Sequence, residues 1–320
     1  MGRIVLMLCM MAVAGCADES QRFRDIETHR QAQIAALVAE GSAASLATAS
    51  LLSGRLVGSK SQSDEYIQRA IAMAPERPEL VWMQWRLCST RECAEEPQIR
   101  AHLKAVAPDN GLAWVPDLQE AWARESPTDV TQMVARIGAG RHMTTYWNVL
   151  TVMMVDSLGQ SGRSPQAAVE GLDLVSRMGY VAGTLAAVGI PPLWTMAKAC
   201  HLDQFDQPGR RAACEAMTAR MQESDAVLMQ SVAIALQENW WPQGSPQRQS
   251  LLAEHQQLQY LMMASSRLRP LHLNRDARTR IDAARRSGRE IDVMRAMLVS
   301  FHEPLERPAN WKDPSQRLGR

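Results

Sequence analysis

The stretch AIAMAPERPELVW, residues 70–82, indicates the fold, because a second stretch, KAVAPDNGLAW (104–114), echoes it. In both, an alanine-bearing segment ends in Ala-Pro and is followed by a segment that contains tryptophan. The two prolines, Pro75 and Pro108, lie 33 residues apart. Proline cannot continue a helix, and a period of about 20–50 residues is typical of stacked helical units. The pattern therefore predicts successive pairs of helices joined by short turns.

This arrangement resembles the tetratricopeptide repeat, in which small residues lie where two helices touch and a proline ends the second helix of each unit of about 34 residues. On that register Ala70 and Pro75 occupy the small-residue and proline positions. The second copy has Leu103 where the small residue is expected, and the usual glycine of the first helix is missing. The resemblance covers residues 40–125. It implies an array of helix pairs whose surface binds a peptide or a partner protein.

The whole chain has the composition of an all-α protein. Alanine, methionine, leucine, glutamine and arginine abound, and alternating β-branched segments are almost absent. Ser-Pro pairs at 126–127, 164–165 and 245–246 place a capping serine before a proline at the first helical position. The sequence predicts about fourteen to sixteen helices. It predicts three parts: TPR-like repeats over 25–160, a helical continuation or more compact helical part over 161–302, and an extended tail over 303–320.

The first residues have the character of an export signal. Arg3 precedes an apolar run over 4–14, which is shorter than the roughly 20 residues that a membrane-spanning helix needs. Val13-Ala14-Gly15-Cys16 resembles the lipobox of bacterial lipoproteins. The resemblance implies that 1–15 is a signal peptide and that Cys16 is acylated, with 16–24 as a tether. Because Ala17 follows the cysteine, the family's sorting rules favour the outer membrane, facing the periplasm, with the inner membrane or the cell surface as alternatives.

After export, four cysteines remain in the body of the chain, and an oxidising compartment favours disulfides. Of the three possible pairings, the local one is favoured: Cys88 with Cys93, and Cys200 with Cys214. The first bridge requires the helix to end near Cys88, because residues five apart in a continuous helix do not meet disulfide geometry. A metal site built from Cys200, His201 and Cys214 is the alternative, but it lacks paired C-x-x-C spacing. We therefore predict no metal.

No motif for chemistry stands out. The mature chain has no nucleophile elbow, no H-E-x-x-H and no P-loop. The net charge of +1 gives no overall field that would attract nucleic acid. We predict a protein that is not an enzyme, binds no cofactor and has no nucleic-acid partner.

Two features of the sequence are candidates for ligand binding. Trp240-Trp241 follow each other in NWWPQGSP, so one of them is a candidate binding residue; alternatively, one is buried and the other half-covered. Trp82, Trp85, Trp114 and Trp122 recur at helical spacing instead, and we expect them in the core.

The second feature is a basic segment. Between 267 and 295 there are nine arginines against four acids, which predicts either an anion-binding face that includes Arg278 and Arg286 or ion pairs along a solvated helix. In the second interpretation, residues four apart form ion pairs: Arg278 with Asp282, Asp282 with Arg286, and Arg286 with Glu290.

Taken together, the sequence predicts a non-catalytic, lipid-anchored periplasmic scaffold that binds or assembles proteins of the bacterial envelope. Its expected partners are an envelope protein or peptide, and the membrane through the lipid on Cys16. Two alternatives stay open: an inhibitor or immunity lipoprotein directed against an envelope-acting enzyme, and a glycan-acting hydrolase whose acids are not identified. The sequence does not predict the oligomeric state.

Overall fold

The computed structural model describes six stretches of the chain, to which all structural statements refer: residues 27–54, 60–89, 93–161, 174–188, 191–268 and 273–311. Within these stretches the chain forms fifteen α-helices and no β-strand. The prediction of an all-α fold is confirmed. None of the described helices is both long enough and apolar enough to cross a bilayer.

The chain folds into two compact units, and the first contains the described parts of 1–73 and 156–172. Its first three helices are α1 (27–40), α2 (Ala43–Ser53) and α3 (Lys60–Met73). Helices α2 and α3 pack closely and exchange two hydrogen bonds between buried serines: Ser50 Oγ donates to the Ser63 carbonyl over 2.7 Å, and Ser63 Oγ donates to the Ser50 carbonyl over 2.9 Å. Small side chains on α2 allow this close approach.

The second unit contains the described parts of 74–155 and 173–320. Its helices are α4 (Pro78–Ser89), α5 (Glu96–Val106), α6 (Val115–Ala123), α7 (Pro127–Gly138), α8 (Trp147–Ser161, whose end belongs to the first unit), α9 (Leu174–Val188), α10 (Leu193–Ala199), α11 (Arg210–Gln222), α12 (Val227–Glu238), α13 (Pro246–Arg267), α14 (Leu273–Arg286) and α15 (Glu290–Ser300). Neighbours along the chain pack as pairs: α4 on α5, α6 on α7, α11 on α12, α12 on α13, and α14 on α15. This is the helix-pair pattern that the sequence predicts.

The helix ends follow the sequence signals. Helix α3 ends two residues before Pro75 and α5 two residues before Pro108. Two of the Ser-Pro pairs start helices: α7 begins at Pro127, and α13 begins at Pro246 with the Ser245 hydroxyl accepting from a backbone N–H of the first turn. Ser164-Pro165, the lipobox with Cys16, and the tether lie outside the described residues.

The tryptophans divide into two classes. Trp82 and Trp85 are fully buried on α4 with ring centroids 5.0 Å apart, so the prediction that they belong to the core is confirmed. Trp114 and Trp122 are only half-buried, and cationic side chains lie over their rings. The prediction that these two belong to the core is wrong, because they lie at the boundary between the core and solvent.

Both predicted disulfides are present. The Cα atoms of Cys88 and Cys93 are 5.3 Å apart, and those of Cys200 and Cys214 are 5.5 Å apart. Helix α4 ends at Ser89, as the first bridge requires. The second bridge joins the end of α10 to the first turns of α11. It also contradicts the alternative metal site, because both sulfurs are covalently joined.

One arginine is buried beside the second disulfide. Arg210 is 1% exposed and has no carboxylate partner among the described residues. Its guanidinium donates to Thr131 Oγ1 over 3.0 Å, to the Ala199 carbonyl over 2.9 Å and to the Pro127 carbonyl over 2.8 Å. Three neutral oxygens thus satisfy a charge that would otherwise be costly to bury. Arg210 thereby ties the start of α7 to the end of α10.

Helices α7 and α11 touch at a glycine. A Cβ atom added to Gly138 would lie 2.7 Å from the Met217 amide nitrogen and 3.0 Å from Ala216. Only glycine allows the two backbones to approach this closely. Gly138 is also the last residue of α7.

The chain after Phe301 is not helical over 303–311, and this part packs on α13. Tyr260 donates its hydroxyl hydrogen to the Pro304 carbonyl over 2.8 Å, and the Arg307 amide donates to Gln257 Oε1 over 2.9 Å. The Trp311 ring meets the Tyr260 ring edge-on, with centroids 5.9 Å apart. The rest of the predicted tail, 312–320, lies outside the described residues.

Candidate binding groove

Three helices of the second unit begin at one place, and two carboxylates hold them there. Asp225, which precedes α12, accepts hydrogen bonds from the Thr145 amide over 2.7 Å, the Thr145 hydroxyl over 3.0 Å and the Trp147 amide over 3.3 Å. These groups lie at the start of α8. The Asp225 carboxylate therefore caps a helix that begins 78 residues earlier in the chain.

Glu290, the first residue of α15, repeats this arrangement. Its Oε2 accepts from the amide of Val227, the first residue of α12, over 3.0 Å. Its own amide donates to the Asp225 carbonyl over 2.7 Å. Acidic side chains stabilise helix N-termini because the free N–H groups there carry partial positive charge. The starts of α8, α12 and α15 are thus joined by side chains from neighbouring helices.

Burial is the dominant influence on the Asp225 carboxyl group. It raises the pKa of Asp225 from 3.8 to about 6, although the hydrogen bonds from Thr145, Trp147 and Ser224 favour the ionised form and oppose the rise. Asp225 is 7% exposed. The folded chain therefore holds a proton on Asp225 between about pH 4 and about pH 6, whereas the unfolded chain releases it.

We expect the contribution of Asp225 to stability to fall as pH rises through this window, by at most about 3 kcal/mol. Asp225→Asn cannot titrate and provides the comparison. The free energy of unfolding of each protein is measured by urea denaturation from about pH 4 to about pH 7. The difference between the two proteins should change with pH below about 6 and stay constant above it. A difference that is constant over the whole range would contradict the raised pKa.

Two hollows adjoin this junction. The larger has a volume of about 210 Å³ and lies between α8, α9, α14 and α15, where its apolar lining includes Met178, Ile281 and Val293. The smaller, of about 120 Å³, lies beside α10 and α12. Trp147 and Glu290 line both hollows. We call the two hollows with these two shared side chains the Trp147 groove.

The Trp147 groove is mainly apolar and has an exposed rim. In the smaller hollow Pro191, Leu193, Leu228 and Met229 supply the surface, and Leu228 is 41% exposed. Each hollow is smaller than the roughly 300–1,000 Å³ of typical small-molecule sites. Their volumes suit individual side chains of a bound segment better than an entire cofactor. Among the residues that the structure describes, no group of three or more His, Cys, Asp or Glu could hold a metal ion.

Comparison with known proteins gives no family for this chain. No protein-family model, curated protein or solved structure matches it.

None of the ligand-binding candidates taken from the sequence lines this groove. Trp240 is 7% exposed, and its indole N–H donates to the Cys200 carbonyl over 3.0 Å. Trp241 is half-buried, with the Arg211 guanidinium 5.4 Å from its ring centroid. The pair follows the alternative interpretation, in which one ring is buried and the other half-covered. A binding role for Trp241 stays a prediction.

Arg278 and Arg286 are exposed on α14. Asp282 forms its ion pair with Arg285 over 3.2 Å, three residues away, instead of with Arg278 or Arg286. The prediction of those two ion pairs is wrong, because the side chain of Arg285 is closer to the carboxylate. Whether Arg278 and Arg286 bind anions stays a prediction.

Sequence reasoning missed Asp225, Glu290 and Trp147. Ser224-Asp225 before the apolar start of α12 has the pattern of a cap for that helix. The Asp225 carboxylate instead points to α8, and local spacing cannot indicate a partner that is 80 residues away. The only local signal in the sequence is an acid that precedes or begins each of the segments that form α12 and α15.

Proposed function

We propose that this protein is a lipid-anchored, non-catalytic scaffold that faces the periplasm and binds or assembles proteins of the bacterial envelope. The lipobox-like sequence ending at Cys16 supports the anchor. The disulfides Cys88–Cys93 and Cys200–Cys214 support an oxidising compartment. The pairwise packing of helices agrees with folds that bind partners through stacked helix pairs.

The observation that carries the binding role is the Trp147 groove. It combines two adjoining hollows, a mainly apolar lining and an exposed rim at Leu228. Apolar side chains of a partner segment would fill the hollows and remove this surface from water, at about 25 cal/mol per Å² of apolar area. The helix starts that Asp225 and Glu290 join fix the shape of the groove before a partner arrives, which lowers the entropy cost of binding.

The anchor is tested by metabolic labelling with a palmitate analogue in the native host. We expect wild-type protein to take up the label and Cys16→Ala to lose it, with the variant retained as an unprocessed precursor. The double variant Cys88→Ala/Cys93→Ala is the control and should remain labelled. Label that persists on Cys16→Ala would remove the anchor from the proposal.

The groove is tested by photo-cross-linking in the same cells. A photo-reactive residue at position 228 should give a discrete adduct with an envelope protein, identified by mass spectrometry. Position 252 on α13 is the matched control, because Leu252 is 39% exposed and Leu228 is 41% exposed. Trp147→Ala should abolish the adduct at 228 by opening the wall between the hollows. The same adducts from both positions, or an adduct insensitive to Trp147→Ala, would contradict a binding role for the groove.

A further inference from the structure

A second cluster in the same unit combines two indole rings with one ammonium group. Lys198 Nζ lies 3.7 Å from the ring centroid of Trp194, four residues earlier on α10, and 6.0 Å from that of Trp122 on α6. Trp194 is 65% exposed, and Trp122 and Lys198 are half-buried. We call these three side chains the Lys198 cluster. Tryptophan is enriched among the residues that contribute most to binding energy at interfaces.

The charge of Lys198 is not neutralised within the described part of the chain, where no carboxylate lies within ion-pair distance of it. Lys104, which lies over Trp114, differs in this respect, because it pairs with Asp117 over 2.7 Å. The stacked indole faces supply attraction but no counter-charge. Lys198 therefore presents a positive charge to a ligand.

The Lys198 cluster is held in place before any ligand binds. Two residues after Lys198, the Cys200–Cys214 disulfide anchors the end of α10 to α11. The Arg210 guanidinium joins the Ala199 carbonyl to the Pro127 carbonyl at the start of α7, five residues after Trp122. Such fixing reduces the conformational entropy lost on binding.

The chemistry of the cluster defines the class of ligand. A cation over one face of an indole draws electron density from the ring, so the opposite face is less attractive to a second cation. That opposite face of the indole can bind a flat apolar group of a ligand, and the ammonium group can bind an anionic group next to it. A sugar ring presents a flat face of C–H groups, and an acidic sugar carries a carboxylate at its edge.

Nucleic acid fits the cluster less well. Single strands also stack bases on aromatic rings, but each nucleotide brings a phosphate, and the grooves that bind them track the backbone with many cations. Here a single ammonium serves two indoles, and the chain as a whole has a net charge of only +1. The sparse charge matches a saccharide better than a polynucleotide.

We propose that Trp122, Lys198 and Trp194 form a binding site for an acidic saccharide, in which one sugar ring stacks on the face of Trp194 opposite Lys198 and the carboxylate of the adjoining sugar reaches Lys198 around the edge of the indole ring. The site goes beyond the scaffold function and does not depend on it. Trp122 offers a second apolar surface for a neighbouring sugar.

Isothermal titration calorimetry on the mature chain tests this proposal with a galacturonic acid trisaccharide as the probe and its methyl ester as the neutral match. We expect the acid to bind at least about tenfold more tightly than the ester. Lys198→Met should weaken acid binding about tenfold and make acid and ester equal, whereas Trp194→Ala should weaken both. An ionic strength of about 1 M should weaken binding of the acid alone.

Two variants serve as controls. Arg307→Met removes a cation that lies 5.9 Å from the Trp311 ring in a different part of the chain, and it should leave saccharide binding unchanged. Trp147→Ala should also leave it unchanged, which separates this site from the Trp147 groove. Because Trp194 is largely exposed, we expect Trp194→Ala to fold. Circular dichroism of the variant checks its helix content.

Several results would overturn the proposal. These are equal affinity of the wild type for acid and ester, no heat of binding for either saccharide, or acid binding that survives Lys198→Met. Tighter binding of a thymidine oligonucleotide, or of vesicles of an anionic phospholipid without sugar, would likewise overturn it if Lys198→Met removes that binding. Binding of the acid that needs both Lys198 and Trp194 supports it.

Discussion

Arg210→Ala should lower the free energy of unfolding by about 3–5 kcal/mol, because the change removes three hydrogen bonds at once. The Pro127 and Ala199 carbonyls and the Thr131 hydroxyl lose the donor that they share, and the site is buried. Arg210→Lys should recover only a small part of the loss, because an ammonium cannot reproduce the three directions of the guanidinium. Urea denaturation of the oxidised protein measures both effects.

The adjacent arginine provides a matched control. Arg211 pairs with Glu215 over 3.1 Å, and its side chain is 48% exposed. Arg211→Ala should change the free energy of unfolding by no more than about 0.5 kcal/mol. If Arg210→Ala and Arg211→Ala lowered the free energy of unfolding by similar amounts, the buried guanidinium would not be holding α7 and α10 together.

Gly138→Ala should be the second most destabilising change, at about 3 kcal/mol. The new Cβ would lie 2.7 Å from the Met217 amide nitrogen, and a backbone atom inside a helix cannot rotate away as a side chain would. Helices α7 and α11 must therefore move apart, which loosens the apolar contacts along their interface. Thermal unfolding followed by circular dichroism should report the loss.

Gly183→Ala on α9 is the control. We expect it to raise the free energy of unfolding, whereas Gly138→Ala lowers it. Apart from the neighbouring residues and the backbone of α9 itself, no heavy atom of the described residues lies within 4 Å of the position that its Cβ would take. Alanine inside a helix is more stable than glycine by about 0.5–1 kcal/mol. A stabilising effect at Gly138, or equal destabilisation at the two glycines, would contradict the close contact of α7 with α11.

Short-range features of the fold could be predicted from the sequence. Prolines and Ser-Pro pairs act on the residues beside them, so the ends of α3 and α5 and the start of α13 follow from spacing alone. The disulfides could be predicted because each joins residues that are close along the chain. Cys88 and Cys93 are five residues apart, and Cys200 and Cys214 are fourteen apart.

Features that depend on distant segments could not be predicted. Trp122 has the spacing of a core residue, but Lys198, which belongs to another helix, lies over its ring. Helical spacing places Trp122 on a face of α6, and it does not indicate what covers that face. The same limit applies to the Trp147 groove, whose lining comes from six helices.

The cap on α8 has a consequence for the order in which the chain becomes native. Asp225 follows Thr145 by 80 residues, so the start of α8 lacks its carboxylate until Asp225 has also reached the compartment in which the chain folds. Helix α12 in turn needs Glu290, which lies 63 residues after Val227. A chain that emerges N-terminus first therefore completes this junction last, from its C-terminal end. A chain truncated before Glu290 would leave the junction open and exposed to proteases.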